Sequence, residues 1–166
     1  MFTSKRISRH FFSGFASMSC LIGTAFAQED DLVGTWDCGL EYTDQSVGAA
    51  ITADFDMTYD ADGTYTRAGK MDISIAAFQV DISIVMDEAG NWRLVDSTAL
   101  GETPTSLTFS SADEMPSEME QMIFQQMQAE ADASLDQEET TDITSLTSTS
   151  MVLASEGGGA LTCAKT

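Results

Sequence analysis

One histidine, two prolines and three cysteines are all that the 166 residues hold of those types, and seven lysines and arginines stand against 27 aspartates and glutamates. Each shortage closes off some chemistry. His10 is the sole histidine, and it sits in a stretch that reads as a leader. Lys5, Arg6 and Arg9 make a cationic start, Phe11 to Phe26 is apolar and small, and "AFA" at Ala25 to Ala27 has the Ala-x-Ala form of a cleavage site. Residues 1–27 are therefore expected to be a signal peptide, and a chain that begins at Gln28 has no histidine. Ser-His-Asp and Cys-His catalysis, and histidine-ligated zinc or iron, are excluded from such a chain. Nucleic acid is excluded as a partner, because phosphate binding needs clustered cations. After the leader no run approaches the roughly 20 apolar residues that span a bilayer, so no transmembrane segment is expected. "SMSC" lacks the aliphatic residue found three places before a lipidated cysteine, which argues against an anchor at Cys20.

What is present is acid. The whole chain carries a formal charge of −20; after cleavage only Arg67, Lys70, Arg93 and Lys165 oppose the 27 acids, leaving −23. Such a field keeps a protein soluble, and it also attracts a cationic partner. Residues 28–166 suit one domain with a real core. Cys38 and Cys163 lie near its two ends, and in the periplasm or outside the cell two such cysteines are expected to form a disulfide.

Alternation dominates the first half of this domain. Leu32, Gly34, Trp36, Cys38, Leu40 and Tyr42 share one parity, with Val33, Thr35, Asp37, Gly39, Glu41 and Thr43 on the other, as in a strand with one buried face. Ile51 to Tyr59 repeats the pattern, and "DADG" at Asp60 to Gly63 reads as a turn. It lacks the further oxygen ligands of a calcium loop. Tyr65 to Ile75 forms a third strand, and a change of parity near "AAFQ" leads into Phe78 to Met86. "DEAGN" reads as the next turn, Trp92 to Leu100 as a fifth strand broken by "GETP", and Leu107 with Phe109 as a short sixth. "DISI" occurs at both Asp72 and Asp81, an echo of consecutive hairpins.

Between about residues 114 and 131 the period changes. Met115, Met119, Met122, Ile123 and Met127 are spaced as on one helix face, with Pro116 and a Ser117/Glu120 capping box at the start. The methionine stripe is expected to pack on the barrel wall, with an adaptable docking surface as the alternative. "TTDITSLTSTSMVLAS" reads as one strand, "EGGG" as a turn and "ALTCAKT" as the last strand. The sum is mainly β: about eight antiparallel up-and-down strands closing a barrel, with one amphipathic helix before the last two. Eight is a number at which a barrel either fills with side chains or holds one small ligand.

"GTW" at Gly34 to Trp36, on the first strand of an exported meander, resembles the lipocalins and the wider calycin-type, lipocalin-like barrels. The resemblance covers most of the domain in strand pattern and three residues in motif. It implies that Trp36 lies at the closed end of the barrel with a basic residue of the last strand packed across it. If Cys38 faces Cys163 on antiparallel strands, facing residue numbers sum to 201 and Trp36 faces Lys165, which supplies that cation. Lipocalins carry their principal helix after the eighth strand, whereas here it precedes the seventh; a lipocalin-like relative or an unrelated small barrel therefore both stay open. With Trp36 at the closed end, "DADG", "DEAGN" and the helix are expected beside it. The connections near Asp44, Ala77, Gly101 and Gly158 are expected to ring the mouth. Arg67, on the apolar parity, falls toward the closed end and reads as structural rather than as a ligand clamp.

The function that follows is an exported, non-enzymatic binding barrel for a small apolar ligand, with no cofactor and no metal. Its mouth would lie among Tyr42, Ile51, Ile75 and Phe78, and its wall among Leu40, Phe55, Ile73 and Ile82. A protein-binding barrel, such as a periplasmic inhibitor of a cationic enzyme, is the alternative, beside a barrel filled by its own core. Paired carboxylates leave a glycoside hydrolase open, although most acids here fall on the outward parity.

Overall fold

The computed structural model describes residues 29–44, 48–76, 80–112, 118–154 and 159–166. Residues 1–28, Phe78, Met115 to Ser117 and most of "EGGG" lie outside these residues. A four-residue helix, α1 (Glu29–Leu32), precedes β1 (Gly34–Asp44), β2 (Ala49–Tyr59), β3 (Thr64–Ile75), β4 (Val80–Asp96) and β5 (Ala99–Ser111). Helix α2 (Glu118–Ser134) and strands β6 (Glu139–Leu146), β7 (Ser150–Ala154) and β8 (Ala160–Lys165) complete the chain. Every strand pairs antiparallel with its neighbour in sequence, and β8 returns to β1, so eight strands close a barrel.

Alternation decides which face turns inward. On β1 Trp36 and Cys38 are buried while Thr35, Asp37 and Glu41 are exposed, and on β2 Met57 and Tyr59 are buried while Asp54 and Asp56 are exposed. Cys38 and Cys163 are disulfide-bonded. Around them the facing pairs run Trp36 to Lys165 and Gly39 to Thr162. Lys165 Nζ lies 4.9 Å from the Trp36 ring centroid and donates to the Asp31 carbonyl, while Trp36 Nε1 donates to the Leu32 carbonyl at 2.8 Å. Leu32 thus belongs to the short helix plugging this end rather than to the first strand. Gly34 has φ +135°, and a Cβ there would sit 2.6 Å from Lys165 Cε, so this position of the motif needs the missing side chain twice over.

"DADG" makes the β2–β3 turn at this closed end: Asp60 N donates to the Thr64 carbonyl and Gly63 N to the Asp60 carbonyl. "DEAGN", in contrast, does not turn. It lies inside β4, paired with β3 on one side and β5 on the other, and a register shift at Ala89/Gly90 absorbs its irregularity. The turn comes at Ser97–Thr98, where the Asp96 carboxylate accepts from Thr98 N and Oγ1. β5 then runs through "GETP", placing Gly101 within a strand near the closed end instead of at the mouth. Pro104, which has no N–H to give, stands just past Glu102, where the pairing with β6 stops. "TTDITSLTSTSMVLAS" holds two strands, β6 and β7, because Thr147 N donates to the Ser150 carbonyl in a tight turn. The helix therefore precedes the last three strands, not the last two. The two "DISI" segments pair with each other: Ser74 Oγ donates to Asp81, and Ser83 Oγ to Asp72, on the outer face.

α2 leaves the mouth end of β5 and runs back beside it, not across the closed end. The Gln128 carboxamide occupies the edge that β6 leaves free, donating to the Leu107 carbonyl and accepting from Phe109 N. Met127 and Ala131 line a groove together with Leu107 and Phe109, whereas Met122 is 66% exposed.

Candidate interior site

The interior has two parts. At the closed end Trp36, Met57, Tyr59, Tyr65, Leu100 and Met151 are almost completely buried and belong to one core with Leu32, Trp92, Ile143, Leu146 and Leu153. Toward the mouth the inward parity continues, but burial loosens. Leu40, Tyr42, Ile51, Phe55, Ile73 and Ile75 are all only half-buried, among fully buried Ala53, Ile82 and Ile84. Register sets several of the sequence-derived residues side by side on this inward face, Tyr42 pairing with Ile51, Ile51 with Ile73, and Ile73 with Ile82, while Phe78 lies outside the described residues. Phe55 lies over Gly69, where a Cβ would come within 2.6 Å of its ring. The strands β1 to β5 that carry this face run 11 to 17 residues, against 5 to 8 for β6 to β8, so the wall is tall on one side and low on the other.

Between the two parts lies a polar cluster. Arg67 Nη1 donates to Glu88 at 2.9 Å and Nη2 to Glu102 at 2.8 Å. The other oxygen of Glu102 accepts from the Tyr59 hydroxyl at 2.7 Å, and the other oxygen of Glu88 accepts from Tyr65. Aromatic contacts hold the frame: Tyr59 meets Trp92 edge-on at 5.5 Å and Tyr65 at 6.2 Å, while the Arg67 guanidinium lies 5.8 Å from the Tyr65 centroid. Gly90 makes room, since a Cβ there would stand 2.7 Å from the Tyr65 ring and 2.3 Å from the Thr103 carbonyl.

Electrostatics follow from that packing. Burial and then the Glu102 charge push the Tyr59 hydroxyl well above its ordinary range, and burial with the Glu88 hydrogen bond pushes Tyr65 up as well. Burial works against the charge of Arg67, but Glu102 and Glu88 outweigh it and hold the guanidinium more firmly protonated. Arg67 is thus engaged as a structural ion, though its Nε is buried without a hydrogen-bond partner among the described residues.

Glu88 and Glu102 escaped the sequence reading because they stand in "DEAGN" and "GETP", which look like turns. A signal was there: Glu88 continues the inward parity of Ile82, Ile84 and Met86, on the strand after the one that carries Arg67. Among the described residues no cluster of three or more acidic, cysteine or histidine side chains could hold a metal ion, and no helix is long and apolar enough to cross a membrane. No protein-family model and no curated protein matches this chain.

Proposed function

We propose that this is a lipocalin-like, non-enzymatic binding protein, exported after loss of residues 1–27, that holds one small apolar molecule in the mouth-side half of its barrel. The observation that carries this reading is the looser burial of the inward residues toward the mouth on β1, β2 and β3, although Ala53 on β2 and Ile82 and Ile84 on β4 stay buried. The closed end is packed solid, while Leu40, Tyr42, Ile51, Phe55, Ile73 and Ile75 stay accessible although they face inward. An accessible concave apolar surface with few polar groups is what small-molecule sites are made of. The test is saturable uptake of a neutral apolar fluorophore and its loss on Ala53→Phe. Ala53 pairs with half-buried Leu40 and Met71, so the added ring would occupy the interior space. Uptake by wild type, abolished in a variant that still folds, is the expected result. A wild type that takes up no probe, with a variant destabilised by the roughly 1–3 kcal/mol of overpacking, would mean a filled core.

One observation favours a second reading, recognition of a cationic protein segment. A groove of about 430 Å³ crosses the outer face of β8, β1 and β2 above Gly39 and is flanked by Glu41 and Asp54.

A further inference from the structure

Gly39, in the middle of β1, lacks a side chain for no reason that the fold supplies. A Cβ at Gly34, Gly69 or Gly90 would stand 2.6, 2.1 or 2.3 Å from its nearest neighbour, so packing forbids one. At Gly39 the nearest atoms would be Asp54 Oδ1 at 3.8 Å and the Ala53 carbonyl at 4.0 Å, which are ordinary contacts, and its φ is not left-handed. It is not a bulge either. Its ladder runs without a register shift, with Asp54 facing it on β2 and Thr162 on β8. Glycine weakens a strand interior, and beyond clashes and bulges it serves where another molecule's atoms approach the backbone closely.

What surrounds Gly39 is acid. Asp37 and Glu41 flank it on the outward parity of β1, Asp54 faces it from β2, Asp56 faces Asp37, and all four are exposed. From β8 come only the small side chains of Thr162, Ala160 and Ala164. The groove of about 430 Å³ runs over this bare stretch of backbone. Like charges directly opposite on a ladder, as Asp37 and Asp56 are, destabilise it. Among the described residues none of the four carboxylates has a salt-bridging partner, because Lys70, across β3 from Asp54, pairs at 2.9 Å with Asp72 instead. A cation from outside would offset that repulsion.

Spacing decides which cation fits. No three acidic side chains among the described residues could hold a metal ion, and Asp37 and Glu41 lie roughly 13 Å apart along an extended strand. The carboxylates ring the notch rather than converge on a point. A planar guanidinium can donate to two carboxylates at once and lie flat on bare backbone, whereas an ammonium is a compact, strongly hydrated point charge. Deepening the second reading above and resting on it, we propose that the Gly39 notch seats an arginine of a basic, extended segment of a partner protein. The guanidinium lies over Gly39 and donates to Asp54 and Glu41, while a neighbouring basic residue of the segment reaches the Asp37–Asp56 pair.

The experiment is titration calorimetry at about 0.01 M salt, where screening is weak. The probes are acetylated, amidated octapeptides of glycine alternating with arginine, lysine or uncharged citrulline. The arginine peptide is expected to bind wild type about tenfold more tightly than the lysine peptide, and the citrulline peptide not at all. Gly39→Val fills the notch with a residue that suits a strand, so it should keep or raise the thermal midpoint while weakening the arginine peptide about tenfold. Asp54→Asn should weaken it similarly, whereas Glu130→Gln, the same charge change on α2, should cost about twofold at most. Unchanged affinity in Gly39→Val would overturn the proposal, and so would equal losses in Asp54→Asn and Glu130→Gln, the mark of a field spread over the whole molecule. A destabilised Gly39→Val would overturn it too, since the fold would then need the glycine. If the arginine and lysine peptides bind equally, the arginine seat fails and the cationic-segment reading stands; if neither binds, both fail.

Discussion

At the scale of single residues, Arg67 is the cation on which the barrel interior turns. Replacing it with methionine leaves two carboxylates facing each other at low exposure, and removing one partner of a buried ionic group typically costs about 3–5 kcal/mol. Chemical denaturation of Arg67→Met should show a loss of that order. Adding Glu88→Gln and Glu102→Gln should restore part of it, because the repulsion goes with the charges. The tyrosines set a limit at alkaline pH. Their hydroxyls titrate higher in the folded state than in the unfolded one, so the stability they contribute is fully present below about pH 10. It is lost as pH rises further, since the unfolded chain then releases protons that the native state retains. Stability measured across the alkaline range should fall above about pH 10, and native Tyr59 and Tyr65 should ionise together with unfolding. In a Tyr59→Phe/Tyr65→Phe variant that slope should flatten.

At the scale of elements, the edge of β5 separates what the sequence made legible from what it hid. β1, β2 and β3 could be read because strict period-two burial leaves no other conformation that hides Trp36, Met57 and Tyr65 while wetting Asp37, Asp56 and Thr66. In the sequence β4 and β5 look shorter than they are because Gly90 and Pro104 look like punctuation. In the barrel Gly90 clears the Tyr65 ring, and Pro104 sits where no ladder bond is required, facts that live in tertiary packing and not in local propensity. β6 and β7 were fused for the opposite reason: their threonines and serines form both strand and turn, and only the Thr147–Ser150 hydrogen bonds mark the corner. The same hidden tertiary facts concealed Glu88 and Glu102, whereas Leu40, Ile51 and Ile73 could be placed on one face from parity alone. α2 then covers the β5 edge through one carboxamide. Gln128→Ala removes both of its bonds to the strand and should cost about 1–2 kcal/mol. Hydrogen exchange should accelerate at Phe109 and along α2 and remain unchanged in β1 to β3. Equal acceleration throughout would mean that α2 holds the whole barrel and not one edge.

At the scale of the whole molecule, the Cys38–Cys163 bond ties positions 125 residues apart and joins the first strand to the last. By loop-closure entropy, reduction should remove about 4–5 kcal/mol, a large part of a single domain's usual stability, less any relaxation of the native state. The acid exterior acts at longer range. If a cationic segment docks at the groove over Gly39, its association rate should fall steeply between about 0.01 and 0.15 M salt, as the Debye length shrinks from about 30 to about 8 Å. A partner whose on-rate ignores salt would argue against that docking. The central claim, however, concerns the inside. It is tested most directly by methyl-resolved NMR of the protein titrated with a neutral apolar ligand. Saturable one-to-one shifts at Leu40, Ile51, Ile73 and Ile75, with Ile143, Leu146 and Leu153 of the closed end unmoved, are the predicted result. Shifts confined to outer-face methyls, or no saturable shift at all, would contradict a binding interior.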